Sequence, residues 1–363
     1  MAILKNINLN NFRNFSNLNL SFDEKLNIFF GKNGCGKTNI LEAISLIAKG
    51  RGIRNSSIYN LIKKNKDNFL IKNNLEVEYN NLDIEISTEK KNDNYKKIIK
   101  INNDLSKDSL DFLNQSVSYI IFLPEMERLF QTSPSQRRNF LDRLIFARRN
   151  DYNRLINKYK KLLLERIKIL QSNIIDDDWL SNVESEISYL GMEIYQERLA
   201  QVSYINSNFI ILKNDHKFQF NVELKIKDEF FNNNKITFEE YLLNLKRSRI
   251  FDKRYGGTKI GPHKSDLIAI INDDFEASLL STGQQKTVIL MILLSQCNFL
   301  VNHKNINPIL LLDEIGSHLD SDNRQILLDM INKFKIQFFL TGTDKNLFSF
   351  VSTNAKFYNI TVL

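Results

Sequence analysis

The stretch "GKNGCGKTNILEAI", residues 31 to 44, constrains this chain more than any other. It fits the pattern G-x-x-x-x-G-K-[ST] at Gly31, Gly36, Lys37 and Thr38, follows the apolar run "LNIFF", and opens an apolar-periodic helix. Glycines let backbone N–H groups close around phosphate oxygens, and a helix start aims its unpaired N–H groups at the same place. The whole loop (Gly31, Lys32, Asn33, Gly34, Cys35, Gly36, Lys37 and Thr38) is therefore a candidate nucleotide cradle. Lys37 is suited to bridge the β- and γ-phosphates of ATP, and the Thr38 hydroxyl to ligate Mg²⁺. Strand, glycine loop and helix in this order call for an α/β fold.

Two distant segments supply the rest of an ATPase site. In "PILLLDEIGSHLD" four apolar residues, Ile309 to Leu312, read as a buried strand that ends in Asp313 and Glu314. Asp313 is the candidate for the Mg²⁺ shell, and Glu314 for polarising the attacking water. In "LLSTGQQK" the residues Ser281, Gly283 and Gln284 form a second anion-binding helix start, about 240 residues after the first. Lys37, Ser281 and Glu314 are thus the candidate catalytic set. The order of the three motifs resembles that of ABC-type ATPases. There the signature helix of one subunit caps the γ-phosphate held by the glycine loop of the other. The resemblance implies a two-fold dimer with two ATPs between partners, Ser281 and Gly283 serving the neighbour's nucleotide.

Periodicity organises the remainder. The first thirty residues alternate, and from Leu75 to Ile101 "LEVEYNNLDIEIS" and "YKKIIKI" read as antiparallel hairpins around Asn-Asn and Asn-Asp turns. Two long helices are expected at roughly 135 to 172 and 178 to 213. The first rests on Leu141, Leu144, Tyr152, Leu155, Tyr159 and Leu162, the second on Trp179, Val183, Ile187, Leu190, Ile194 and Val202. Each would be roughly 55 Å long, a stubby arm. From Asp266 onward, strand and helix alternate again. The expected domains are 1–130 (first half of the ATPase head, with the glycine loop and hairpins), 131–250 (helical arm) and 251–363 (second half of the head). The expected fold class is α/β, and the resemblance implies an ABC-type P-loop ATPase head with a mixed sheet, an antiparallel β subdomain and an inserted short α-helical arm.

No run of about 18 apolar residues is present to span a bilayer, and "MAILKNINLNNFRNF" lacks the apolar core of a signal peptide. Cys35 and Cys297 are too few and too separated for a disulfide framework. The chain reads as cytoplasmic, with no membrane partner. Its formal net charge of +8 says little by itself, because Lys, Asn and Ile crowd the whole sequence. Arginine is more telling: seven of sixteen fall between Arg128 and Arg154, and arginine's planar fork suits phosphate. Arg137 and Arg138 open the first arm helix, where positive charge opposes the macrodipole. DNA phosphate, a contact across a dimer and a plain solvated face are the three readings of that pair.

Along nearly its whole length the chain resembles the RecF family of SMC-like ABC ATPases. The matching segments are "LNNFRNFSNLNLSF", "GKNGCGKTNILEAI", "FLPEMERLFQTSPSQRRNFLD", "RYGGTKIGPHKSDL", "STGQQK", "PILLLDEIGSHLD" and "FFLTGTD". The resemblance implies a weak, DNA-stimulated ATPase that acts as a switch. It implies an ATP-dependent homodimer that binds single-stranded and gapped DNA and junctions. With the RecO and RecR mediators it would load a recombinase in repair, replication restart and the SOS response. By the same resemblance Arg13 would reach the nucleotide phosphates, its alternative being a solvated hairpin arginine. Asp320 lies at the spacing of the family's D-loop, at the dimer seam, and also reads as the N-cap of the following helix. No glutamine in "IIFLPEM" is available to sense Mg²⁺, and "FFLTGTD" offers Thr341, Thr343 and Asp344 where relatives place a histidine. Both departures point to slow hydrolysis that resets binding. An SMC-like chromosome organiser is the competing reading, which the short arm opposes.

Overall fold

The computed structural model describes residues 2–47, 52–54, 56–78, 80–91, 94–215, 220–230, 237–316, 320–351 and 355–361. They form two compact units, one of residues 1–127 and 286–363, the other of residues 128–285. The first unit opens with β1 (Ala2–Phe12), β2 (Phe15–Ser21), β3 (Leu26–Phe30) and α1 (Lys37–Ser45), and continues through β4 (Leu70–Val77), β5 (Asn80–Lys91), β6 (Asn94–Ile101), α2 (Lys107–Ser116) and β7 (Tyr119–Phe122). The second unit contains α3 (Pro134–Phe146), α4 (Tyr152–Gln171), α5 (Asp177–Asp215), β8 (Val222–Lys227), α6 (Phe238–Arg247), α7 (Arg249–Tyr255), β9 (Asp266–Ile271) and β10 (Phe275–Glu276). The chain leaves it along α8 (Thr282–Lys304) and returns to the first unit for β11 (Ile309–Leu312), α9 (Ser321–Lys333), β12 (Phe338–Gly342) and β13 (Lys356–Asn359).

Two sheets build the first unit. The order β13-β3-β12-β11-β7 is parallel at every pairing. Its strands "LNIFF", "ILLL" and "FFLTG" are apolar runs with almost every residue buried, as a sheet covered on both faces requires. The second sheet, β2-β1-β4-β5-β6, is antiparallel and alternates buried with exposed residues. The expected Asn-Asn turn is the start of β5, and the chain turns before it, at Glu78, whose φ is 57°; the Asn-Asp turn at 92–93 lies outside the described residues. The expected α/β head with an antiparallel subdomain is therefore what the chain forms.

The second unit differs from the sequence reading in two respects. The first arm helix is not continuous: α3 ends at Phe146 and α4 restarts at Tyr152. In the gap Arg148 and Arg149 turn onto α5. Arg149 lies 2.6 Å from Glu193 and 2.9 Å from Glu197, and Arg148 pairs with Glu197. Those charge-assisted bonds replace the helical continuation. The arm's longest element is α5, with 39 residues and a length of about 58 Å. All six apolar residues expected on the first helix are buried. On α5 the buried row starts at Leu180, because Trp179 is half exposed and donates from Nε1 to Glu165. The other difference is the expected boundary at 250/251: residues 251–285 belong to the arm unit. Asp252 is buried against Arg166 of α4, and β9 pairs along its length with β8.

Candidate functional site

The glycine loop sits between β3 and α1. Its crest, Lys32 to Gly34, is exposed, whereas Cys35, Gly36 and Lys37 are buried. Gly36 is the N-cap of α1 with φ 108°, a left-handed value that favours glycine. A Cβ there would lie 2.6 Å from Asn14 Nδ2 and 2.6 Å from the Phe15 ring. Asn14 donates to the Cys35 carbonyl at 3.0 Å and accepts from Asn39 at 2.8 Å, so the β1–β2 turn braces the loop. Motif spacing did not reveal Asn14; the signal was its place in "FRNF", beside the arginine that drew attention instead.

Lys37 folds back over its own loop, Nζ donating to the carbonyls of Gly31 at 2.7 Å and Lys32 at 3.1 Å. Its ammonium therefore stands inside the curve that a phosphate chain would occupy. Thr38 Oγ1 donates to Asp313 Oδ1 at 3.0 Å, although the two are 275 residues apart in sequence. The parallel pairing of β3 with β12 and of β12 with β11 brings them together. Thr341, at the end of β12, donates to the same Asp313 oxygen at 2.7 Å and accepts from the Glu314 backbone N–H at 2.7 Å. Glu314 itself has φ 48°, a left-handed conformation that costs energy for a residue with a side chain. Strain at a single acidic residue after a core strand is a recurrent mark of a functional position. A hydroxyl and a carboxylate within 3.0 Å form the hard oxygen set that Mg²⁺ takes from protein when phosphates complete its shell. The residues present thus fit a Mg²⁺–nucleotide.

The remaining candidates lie elsewhere. Arg13 has φ 54° and grips Glu42 of α1 with two bonds of 2.8 Å, and it also reaches Ser56 and the Asn60 carbonyl. The Glu42 carboxylate is fully buried, so Arg13 holds α1 and is not a solvated arginine. Asp320 accepts from the Asn323 backbone N–H at 2.8 Å, capping α9.

Within the arm unit, Ser281 and Gln284 are exposed and cap each other across the start of α8. Ser281 Oγ accepts from the Gln284 N–H at 3.3 Å, and Gln284 Oε1 from the Ser281 N–H at 3.1 Å. Gly283 lies in the same turn. Arg137 and Arg138, open to three readings in the sequence, have partners within the arm unit. Arg137 makes a two-bond ion pair with Asp266, at 2.8 and 2.6 Å, and donates to the Phe130 and Thr132 carbonyls; Asp266 raises its already high pKa. Arg138 donates to the Ser265 carbonyl at 2.6 Å, and its pKa is lowered by burial and then by Arg198. Arg137 ties α3 to the first residue of β9 and Arg138 ties it to the residue just before, and so the positive charge at that helix start has internal partners.

The loop "GGTKIGPHKSD" is held by a relay. His263 Nε2 donates to the Thr258 carbonyl at 2.8 Å, which leaves Nδ1 to accept from the Tyr159 hydroxyl at 2.8 Å. Tyr159 in turn meets Tyr241 at 3.0 Å. A Cβ on Gly261 would lie 2.1 Å from the Tyr241 oxygen and 2.5 Å from that of Tyr159. His263 is thus a structural hydrogen-bonding residue, its pKa lowered to about 4 chiefly by burial. Among the described residues no cluster of His, Cys, Asp and Glu could hold a further metal, and no helix is long and apolar enough to cross a membrane.

Comparison with known proteins places this geometry. The family model described as RecF/RecN/SMC N terminal domain matches residues 3–361. Relatives named DNA replication and repair protein RecF, from Rickettsia typhi (strain ATCC VR-144 / Wilmington) and Rickettsia prowazekii (strain Madrid E), are each 34% identical over 343 residues, 94% of this chain and 94% of theirs. A solved structure of the recombination mediator protein RecF-ATPrS in the RecFOR pathway superposes with a TM-score of 0.81 at 26% identity, covering 95% of this chain and 94% of that one. The Smc head domain of Pyrococcus furiosus, bound to the C-terminal domain of ScpA, superposes with a TM-score of 0.55 at 16% identity over 97% of this chain and 92% of its own, a likeness of fold alone.

Proposed function

The chain belongs to the RecF family of SMC-like ABC ATPases, and on that premise we propose that it is an ATP-dependent DNA-binding protein of recombinational repair and replication restart. In this reading it closes as a homodimer on ATP, binds single-stranded, gapped and junction DNA in the cytoplasm, and helps RecO and RecR load a recombinase, with a part in SOS induction. Slow, DNA-stimulated hydrolysis to ADP and phosphate reopens it.

One observation supports the ATPase step most directly: Thr38, Asp313, Thr341 and the Glu314 backbone are joined in a single hydrogen-bonded row. The loop and Lys37 would hold the β- and γ-phosphates. Thr38 and Asp313 would hold Mg²⁺, which neutralises phosphate charge when bound. Glu314, fixed in position by the Thr341 bond to its N–H, would polarise the water that attacks the γ-phosphorus. Ser281 and Gln284 would release each other to meet the partner's γ-phosphate.

The test is binding of the full chain to gapped, single-stranded and duplex DNA, with and without ATP. ATP should strengthen binding to the gapped and single-stranded forms, and Lys37→Ala should remove that stimulation together with ATP-dependent dimerisation. Failure to bind any of the three at low salt would refute the reading.

A further inference from the structure

The arm unit has a surface that the nucleotide chemistry leaves unused. From Lys246 to Lys259 the chain carries six basic residues and one acid, Asp252. Asp252 is buried, 2.7 Å from Arg166 Nη1, and Arg249 turns inward to Glu184 at 2.7 Å. Lys246, Arg247, Lys253, Arg254 and Lys259 are all exposed, and no carboxylate of a described residue pairs with them. Positions 249 and 252 share the inner face of α7, so 250, 251, 254 and 255 face outward. There Phe251 and Tyr255 are 50% and 58% exposed, one helical turn apart, with ring centroids 4.3 Å apart; Ile250 beside them is 81% exposed.

A merely solvated basic face has no need of aromatic rings, and leaving them in water forgoes the stabilisation of burial. Uncompensated cations flanking a pair of exposed rings match a strand of negative charge that carries flat, stackable groups. A duplex keeps its base faces inside the stack, and an acidic peptide brings charge without flat partners. We infer that α7, the last turn of α6 and Lys259 beyond α7 form a stacking platform for single-stranded DNA, Phe251 and Tyr255 taking bases and the five cations taking phosphates. This rests on the DNA-binding reading above and adds the place and mode of single-strand contact.

The experiment compares fluorescence anisotropy of the full chain with an oligothymidylate of about 20 nucleotides, and with an abasic strand of equal length and charge. The intact protein should bind the base-bearing strand on the order of tenfold or more tightly than the abasic one. Phe251→Ala with Tyr255→Ala should abolish that preference and leave the salt dependence intact, whereas Phe251→Trp with Tyr255→Trp should keep it. Lys253→Gln with Arg254→Gln should instead flatten the log–log salt slope by about 1.4, two contacts at roughly 0.7 each. A preference retained by the double alanine variant would overturn the platform while leaving DNA binding standing. An intact protein that bound neither strand would overturn both. Side chains this exposed are dispensable for folding, which circular dichroism of each variant verifies.

Discussion

Thr341 satisfies two partners with one hydroxyl: it donates to Asp313 and accepts from the N–H of the left-handed Glu314. Valine has the same shape and neither capacity, so Thr341→Val takes the acceptor from the part-buried Glu314 N–H and leaves Asp313 Oδ1 with Thr38 as its donor. The expected cost is about 1–3 kcal/mol of stability, read by urea unfolding. Turnover should fall further than nucleotide affinity, because Lys37 and the loop are untouched; equal losses in both would separate Thr341 from the chemistry. Glu314→Gln asks the complementary question. It keeps the phosphate contacts and removes the base, so an ATP-bound dimer should persist, and an unchanged dimer lifetime would take that role from Glu314. His263 gives a prediction about pH. Its two bonds require the neutral ring, since protonation makes Nδ1 a donor facing the Tyr159 hydroxyl proton. The folded pKa of about 4 lies below the unfolded 6.5, so the unfolded state takes up the proton first. The contribution of His263 is complete above about pH 6.5 and is lost as pH falls through about 4, with a slope of at most about 1.4 kcal/mol per pH unit. Unfolding free energies measured across that range should show one proton fewer in His263→Asn.

At the scale of elements, the arm is organised by Arg166. Its guanidinium, fully buried, binds Glu184 of α5 at 3.0 Å, Asp252 of α7 at 2.7 Å, Thr258 at 2.9 Å and the Leu245 carbonyl at the end of α6 at 2.7 Å. Arg166→Met removes one charge, strands Asp252 and leaves Glu184 with Arg249 alone, and a buried pair broken on one side costs about 3–5 kcal/mol. Arg166→Lys should recover only part of that loss, having no planar fork to span the same acceptors. Denaturation midpoints of the two variants check this, and a methionine variant within 1 kcal/mol of the intact protein would deny the cluster its role. The same residue shows where sequence reading stops. Helical periodicity located α4 and α5 because apolar spacing is a local property, and it located the glycine loop and "ILLLDE" because their chemistry demands residues in succession. Arg166 occupies a position on the apolar stripe of α4, but nothing local announces a partner 86 residues away. Arg137 and Asp266, separated by 129 residues, were hidden for the same reason. A cluster of arginines has the same appearance in sequence whether its acceptors are phosphates or distant carboxylates. The break between α3 and α4 followed suit, since carboxylates on another helix decide it.

For the whole molecule, the decisive question is which chain completes the nucleotide site. The loop, Asp313 and Glu314 belong to one compact unit and Ser281 to the other, and Ser281 and Gln284, exposed at the start of α8, bond each other. If Ser281 serves a neighbouring copy, Lys37→Ala and Ser281→Arg homodimers should each be inactive, because every composite site then carries one defect. Mixing the two variants separates the defects. A heterodimer collects both into one site and leaves the other with an intact loop from the Ser281 variant and an intact turn from the Lys37 variant. Random equal mixing makes half of the dimers heterodimers, so roughly a quarter of all sites are whole. ATPase activity should recover towards that fraction where sites act independently. ATP-dependent dimer formation, followed by light scattering, covers a mechanism that needs both sites at once. Recovery in neither assay would place Ser281 outside a shared site, and full activity in either homodimer would refute the role assigned to the residue it lacks.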